Sequence, residues 1–559
     1  THPHLKMPSN FSRAMGFLKL TSSQMSPRIL IAALALVIGL LLSWLLMSTS
    51  GDDSSTKEPS RMVKQIVEPV APNPTSDRKI REPSDRDPKF DPNAIPYERI
   101  IAFASEDAYR RFLEKLANSK IRSLGQIDGL RAVRLGFDSL ADFNGLGLEP
   151  GDLEFNYPVS VPELREVAPQ TGIVGFNNSA LEFLGITVDN SEWGRGVKIA
   201  VIDTGILPHL ALSENIRHIN LVELTEGVEA NSHGTSVASL IAGNHPNMKG
   251  VAPAADLISV RVADETGYSS SFLLAQGIIE ASNAGAQIIN ISLGSEGDSP
   301  LVRQAVDYAT ERGAVIFASS GNEGSANAAY PAGDPDVFSV GAVDALGQHL
   351  NFSNADNDLA FTAPGLEVQA AFPGDNITSF TGTSGSVAFP VGAVAAIMSE
   401  SPTPITARMA TEILRTYTNE AGTPGADPQY GLGMIDVGRA MQRNTPGIED
   451  LAVASQTYLF PTEDNRSSGL QVSIENRGTE PLYQSTVNIG IAGDQYPVTI
   501  QSLQPNERKV ITIPAGLGLL MEEGQLTVKS DITLSTGNRD AKPANDSRNE
   551  VITVPENGP

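Results

Sequence analysis

The stretch Val197-Lys-Ile-Ala-Val-Ile-Asp203-Thr-Gly205 reads as a buried strand that ends on a carboxylate. Its β-branched run is short and closes on a glycine turn, which favours strand over helix. Similar runs follow at Leu257–Val260, Ile288–Ile291 and Val315–Ser319, with helical patterns at Ser271–Asn283 and Pro300–Glu311 between them. This alternation predicts an α/β fold: a mostly parallel sheet, right-handed crossovers and helices on both faces. In such sheets ligands sit outside the carboxyl ends of the strands. Asp203 follows one strand directly and Asn322 follows another through Ser320-Gly321, so both are expected at the same sheet edge.

Two further motifs lie downstream of Asp203. His233-Gly-Thr235 opens a helix of small residues, Gly234–Gly243, and Gly382-Thr-Ser384 opens the Ala-rich stretch Val387–Met398. A serine hydroxyl is a poor nucleophile until a neighbouring base takes its proton. Histidine titrates near neutrality, and a buried carboxylate fixes its tautomer. Asp203, His233 and Ser384 offer these three groups in a chain order that reaches the required geometry. The other histidines are His2 and His4, ahead of the long apolar run, and the loop-like His209, His218, His245 and His349. Asn322, in Ser319-Ser-Gly-Asn-Glu-Gly324, is positioned to donate to an oxyanion together with the Ser384 backbone N–H. On its own it reads as a turn asparagine between two glycines.

The run Ser384-Gly-Ser-Val-Ala-Phe-Pro390 offers two serines. A gapless register makes Ser384 the nucleophile; the other makes it Ser386 and requires compensating length changes. The gapless one needs no insertion at a buried helix start, so Ser384 is preferred. Pro390 then costs about 3 kcal/mol unless the local helix starts late.

The chain has 559 residues, 40% hydrophobic, which allows several cores and more than one domain. Its net charge of −25 argues against nucleic-acid partners. With no cysteine, disulfides, thiolate catalysis and Cys-ligated metals are excluded. Residues 1–28 carry Lys6, Arg13, Lys19 and Arg28 and no acid, and form a basic cytoplasmic segment. The uncharged run Ile29–Met47 spans about 28 Å as a helix, close to a bilayer core. Asp52 and Asp53 follow, so the run reads as a single-pass anchor with the bulk of the chain outside the cytoplasm, periplasmic or extracellular. The competing reading is a cleaved signal peptide and a secreted product.

Residues 48–95, rich in Pro, Ser, Asp and Lys, read as a disordered linker. Residues 96–165 read as a small α+β unit: a strand at Arg99–Ala104, a helix at Ala108–Ala117 capped from Ser105, a strand at Gly129–Leu135, a helix at Phe137–Phe143 and a strand at Asp152–Phe155. The α/β unit covers 172–443. Residues 450–559 carry short, regularly spaced strands with Gly/Pro/Asn turns, which predicts a β-sandwich.

Several motifs resemble the subtilisin-like serine proteases: Val201-Ile-Asp-Thr-Gly205, His233-Gly-Thr-Ser-Val-Ala, Gly250-Val-Ala-Pro-Ala, Ile289-Asn-Ile-Ser-Leu-Gly294, Gly321-Asn-Glu-Gly, Gly382-Thr-Ser384 and Tyr430-Gly-Leu-Gly-Met-Ile-Asp436. The resemblance runs from about Gly172 to Arg443 and implies hydrolysis of polypeptides through an acyl-enzyme. It implies that Ser292, Leu293 and Gly294 line the substrate cleft and pair the peptide as an added strand. Ser319, Ser320 and Gly321 would form the opposite wall, and Ala329 leaves the primary pocket open for a large apolar side chain. The unit at 96–165 resembles the family's inhibitory propeptides, whose tails fill the cleft before self-cleavage; a cut is expected between about Tyr157 and Gly172. Residues 450–559 resemble adhesion-type immunoglobulin-like modules. No cofactor is required. Calcium is common in the family, but Asp334, Asp336, Asp356 and Asp358 read as solvated loop residues. The rival readings are a catalytically impaired binding or adhesion protein with the same cleft, and an esterase.

Overall fold

The computed structural model describes residues 91–148, 152–162, 172–460, 469–514, 517–535 and 540–553. The expected cytoplasmic segment, membrane span and most of the linker lie outside the described residues. Among the described residues no helix is long and apolar enough to cross a membrane.

The first unit is a three-stranded antiparallel sheet with one helix. Strands β1 (Glu98–Ala102), β2 (Arg122–Ile127) and β3 (Ala132–Gly136) lie in the order β1-β3-β2. Helix α1 (Glu106–Leu116) starts where Ser105 Oγ accepts from Ala108 N, with Glu106 and Asp107 in its first turn. Its buried face is Tyr109, Phe112 and Leu116, one helical stripe. The expected helix at Phe137–Phe143 is instead a 3-10 helix at Leu140–Leu146, capped by Ser139. The expected strand at Gly129–Leu135 starts late, because Asp128–Leu130 forms a tight turn that ends on left-handed Arg131. The Asp152–Phe155 strand reduces to one bridge, Ile100 to Glu154. Strand β2 was not expected: its residues are mostly exposed and show no apolar alternation.

Strand β4 (Pro158–Ser160) leaves this unit and enters the next. The α/β unit holds seven parallel strands: β5 (Lys198–Asp203), β6 (Arg217–Asn220), β7 (Asp256–Arg261), β9 (Ile288–Ile291), β10 (Val315–Ser319), β11 (Val337–Val343) and β12 (Phe361–Pro364). Their order is β12-β11-β10-β9-β5-β7-β6. The short β8 (Tyr268–Ser270) lies outside that sheet and pairs with β4.

Period-two alternation sorts the strand side chains between two cores. From β5, Ile199 and Val201 join one apolar cluster, while Ala200 and Ile202 join the other. Helix α2 (His233–Ala242) lies on the first face. Helices α3 (Ser271–Asn283) and α4 (Pro300–Glu311) lie on the second, with the bounds that the apolar period predicts. Ser270 and Ser299 cap them, and Pro300 occupies the first position of α4, where a missing N–H costs nothing. Ile100, Ile127 and Ala132 of the first unit belong to the same cluster as Phe272 and Ile279 of α3, so that sheet is docked on α3 and α4.

The chain then forms the hairpin Val368–Phe372 with Asn376–Phe380. Helices α5 (Thr383–Ser386) and α6 (Ala388–Ser399) follow and meet at Val387. The late start of α6 puts Pro390 in its first turn, where no N–H is needed. Helices α7 (Ala407–Thr416) and α8 (Val437–Gln442) complete the unit.

The C-terminal region is β-rich. A three-stranded sheet and a four-stranded sheet, both antiparallel, share one apolar cluster that includes Leu451, Val472, Ile474, Val487, Ile489 and Val528. Strand Leu451–Leu459 was not expected, and neither was helix Leu517–Glu523.

Candidate active site

Strand β5 ends on Asp203, which is fully buried. Both its carboxylate oxygens lie 2.9 Å from His233 Nδ1. Thr204 N donates to Asp203 Oδ1 at 2.7 Å, so the carboxylate is held from the strand side as well. Helix α2 begins at His233, whose backbone N–H donates to Asn231 Oδ1. The close crossing of α2 and β5 depends on Gly234. A Cβ there would sit 2.6 Å from the Gly205 carbonyl and 3.1 Å from Asp203. Thr204 Oγ1 accepts from Gly234 N and donates to the Asn231 carbonyl, tying the two elements together.

Ser384 is the second residue of α5 and is buried. Its Oγ and His233 Nε2 are buried atoms without a hydrogen-bond partner among the described residues. Phe380 bridges the two segments. Its ring centroid is 5.4 Å from that of His233, and a Cβ on Gly385 would touch the same ring at 3.0 Å. Ser386 faces elsewhere: its Oγ points back to the Gly382 carbonyl at 3.5 Å and lies against Gly365.

Asn322 sits in the loop after β10 and is buried. Its Oδ1 accepts from Thr383 N at 3.0 Å and Thr383 Oγ1 at 2.9 Å. The backbone donor fixes which amide atom is oxygen, so Nδ2 is on the side of Gly382, where a Cβ would lie 3.0 Å from it. Gly382 has φ +142, which disfavours any other residue. The loop is held by Asn354, whose Oδ1 accepts from Glu323 N and Ser325 N while its Nδ2 donates to the Ser320 carbonyl.

The expected cleft residues divide by role. Ser292 turns inward: its Oγ accepts from Asn290 Nδ2 and donates to the Ser384 carbonyl at 3.2 Å. Leu293 is buried in the apolar cluster under α3 and α4. Gly294 uses its backbone, exchanging two hydrogen bonds of 3.0 Å with Ser160. On the other side, Ser319 and Ser320 have buried Oγ atoms without partners among the described residues, and Gly321 N donates to Thr383 Oγ1. Ala329 N donates to the Ser320 carbonyl. Among the described residues no cluster of three or more His, Cys, Asp or Glu side chains is arranged to hold a metal ion.

Sequence reasoning missed Thr204, Thr383, Asn290 and Asn354. Thr204 and Thr383 flank singled-out residues, so adjacency was a usable signal. Asn354 lies in a loop more than thirty positions from Asn322, and nothing local marks it. Asn156 was missed too. It is fully buried, and its Oδ1 accepts from Ser271 Oγ and Phe272 N at the start of α3. Burial raises the carboxyl pKa of nearby Glu154, against the pull of the Leu301 amide at the start of α4.

Residues 194–433 match the model of the subtilase family. The chain is 31% identical over 350 residues to an alkaline protease of Shouchella clausii, covering 60% of this chain and 89% of that protein. It is 36% identical over 245 residues to subtilisin Savinase of Lederbergia lenta, covering 44% of this chain and 90% of that protein. Among solved structures it resembles fervidolysin from Fervidobacterium pennivorans, a keratinolytic enzyme related to subtilisin. That match has a TM-score of 0.54 and 19% identity over 83% of this chain and 77% of the other, a likeness of fold. With the matched segment running from the strand before Asp203 to the loop before α8, and with relatives matched over most of their length, the chain belongs to the subtilase family of serine endopeptidases.

Proposed function

We propose that this endopeptidase works through a triad of Asp203, His233 and Ser384 and is made as a membrane-tethered, self-processing zymogen. The observation that carries the triad is the buried Asp203–His233 pair, with His233 Nε2 and Ser384 Oγ left without partners among the described residues. Asp203 holds the Nδ1 proton, which leaves Nε2 as the acceptor for the serine proton. Ser384 Oγ attacks the scissile carbonyl, and His233 passes the proton to the leaving amine. Asn322 Nδ2 and the Ser384 N–H stabilise the oxyanion, Asn322 being oriented by Thr383. Water then hydrolyses the acyl-enzyme.

The substrate is a polypeptide, taken as an extended strand beside Ser292–Gly294, with Ser319–Gly321 as the opposite wall. In the zymogen reading, residues 96–165 are the inhibitory propeptide. Its support is the docking on α3 and α4, the Asn156 contacts at the start of α3, and strand β4 lying between β8 and Gly294. The anchor reading rests on the Ile29–Met47 run and its flanking charges, and places catalysis outside the cytoplasm. The C-terminal β-rich region reads as an immunoglobulin-like adhesion-type module.

A fluorophosphonate probe tests the triad. Processed protein is expected to carry the adduct on Ser384; an active-folded protein with no adduct would instead be a binding module. Extraction of membranes with alkaline carbonate tests the anchor, which predicts retention in the pellet.

A further inference from the structure

We infer that the chain presents Pro162 to Ser384, so that the first bond cut is Pro162–Glu163, and that Pro162 itself keeps this cut slow. This rests on the propeptide reading above. The register follows from hydrogen bonds on both sides of the strand. Ser160 N donates to the Gly294 carbonyl and Gly294 N donates to the Ser160 carbonyl, both at 3.0 Å. That exchange marks a hydrogen-bonded antiparallel pair. On the other side Ser160 pairs with Tyr268, and Val161 N donates to the Gly267 carbonyl at 2.9 Å. Two residues forward on one antiparallel strand match two residues back on its partner, so Pro162 falls opposite Ser292. Ser292 Oγ donates to the carbonyl of Ser384 at 3.2 Å, so Pro162 is brought to the residue that carries the nucleophile. Burial agrees: Val159 is buried, Ser160 exposed, Val161 half-buried and Pro162 buried.

Hydrogen-bonded positions recur every second residue along such a ladder. The residue at 162 is therefore where a substrate would donate its N–H to the Ser292 carbonyl. Proline has no N–H to give. A tail with an ordinary residue there gains one bond, which corresponds to roughly fivefold in rate where the bond persists in the transition state.

The chemistry balances without any redox partner. Ser384 Oγ bonds to the Pro162 carbonyl carbon as His233 takes the hydroxyl proton. The bond to the Glu163 nitrogen breaks, and His233 returns the proton to that nitrogen. Water hydrolyses the ester, leaving the Pro162 carboxylate and free Ser384.

The test follows processing of the full chain by N-terminal sequencing and intact mass, in wild type, Ser384→Ala and Pro162→Ala. The expected new N-terminus is Glu163, Ser384→Ala stays uncut, and Pro162→Ala is cut at the same bond about fivefold faster. Processed enzyme is also given peptides covering residues 157–167 with Pro or Ala at position 162. The same ratio is expected there, whether or not the Pro162→Ala chain folds. A first cut at another bond, or no gain with Ala in both assays, overturns the inference. A chain that is fully active on peptides while never cutting itself overturns the propeptide reading as well, which separates the two failures.

Discussion

Arg439 of α8 and Glu475 of the C-terminal β-rich region lie 3.0 Å apart, and both are almost fully buried. Arg439 also donates to the Thr418 carbonyl, Asn419 Oδ1 and Asn506 Oδ1. Glu475 accepts in addition from Arg477 Nε and from the Glu420 backbone N–H, with Arg508 Nε 3.5 Å away. Arg508 in turn donates to Glu420 Oε2 at 2.6 Å. The two regions are thus joined by shared buried charges, an arrangement that tolerates little relative motion. A flexible tether would leave such groups in water.

Removing one member of this group leaves the others buried and unpaired. Glu475→Gln is therefore expected to lower stability by about 3–5 kcal/mol. Chemical denaturation read separately for the two regions is the measurement. The expected pattern is early loss of the C-terminal region, seen also as faster proteolysis between α8 and strand Leu451–Leu459. An unchanged denaturation profile would show that the pair is dispensable.

The choice between the two serines yields a clean comparison. Ser384→Ala is expected to lower kcat by roughly 10⁴–10⁶. Ser386→Ala should keep activity within a fewfold, since its Oγ makes one long contact to its own helix. Purified variants matured with the same propeptide in trans and assayed on one peptide decide it; the reverse ranking would move the nucleophile to Ser386.

The fold and the site were unequally legible. Buried parallel strands and amphipathic helices carry strong local periodicity, which is why α3 and α4 match their expected bounds residue for residue. The edge strand β2 carries none, since solvent accepts any side chain there. Asp203 and His233 could be singled out because one ends a strand and the other begins a helix, each beside a glycine, and Asn322 because it lies in a glycine-bearing loop just after a strand. Ser292 was singled out as a cleft residue, while its Oγ contact to the Ser384 carbonyl went unseen: backbone and side-chain roles look the same in one dimension. Asn354 was invisible because its partners are set by loop packing alone.

The Asn322 loop permits a graded test. Asn322→Leu removes the proposed oxyanion donor and is expected to cost about 10²–10³ in kcat with little change in KM. Asn354→Ala keeps that donor but releases the Ser320 carbonyl and the Glu323 and Ser325 amides. A smaller loss of about tenfold in kcat is expected, of the order of one lost positioning contact. Steady-state kinetics on a single peptide suffice. If Asn354→Ala matched wild type, the loop would be held by its backbone and Thr383 alone.

The same buried charges predict an unusual pH dependence of stability. Burial pushes the Glu420 carboxyl up to about 7, against the attraction of Arg508. Burial also disfavours ionised Glu475, but Arg439, Arg477 and Arg508 outweigh it and hold that carboxyl down at about 2. A raised folded pKa means that the contribution of Glu420 is complete below its ordinary carboxylate range and is lost as pH rises through about 7. The depressed Glu475 works the other way: its contribution is present above the ordinary range and is lost as pH falls towards about 2. Wild type should therefore lose thermal stability between about pH 5 and 7.5 relative to Glu420→Gln, which has no proton to give up. Melting temperatures of both proteins, inactivated at Ser384 to prevent self-digestion, are compared across that range. Parallel curves would mean that Arg508 keeps Glu420 ionised throughout, and that the seam is pH-independent above the range of Glu475.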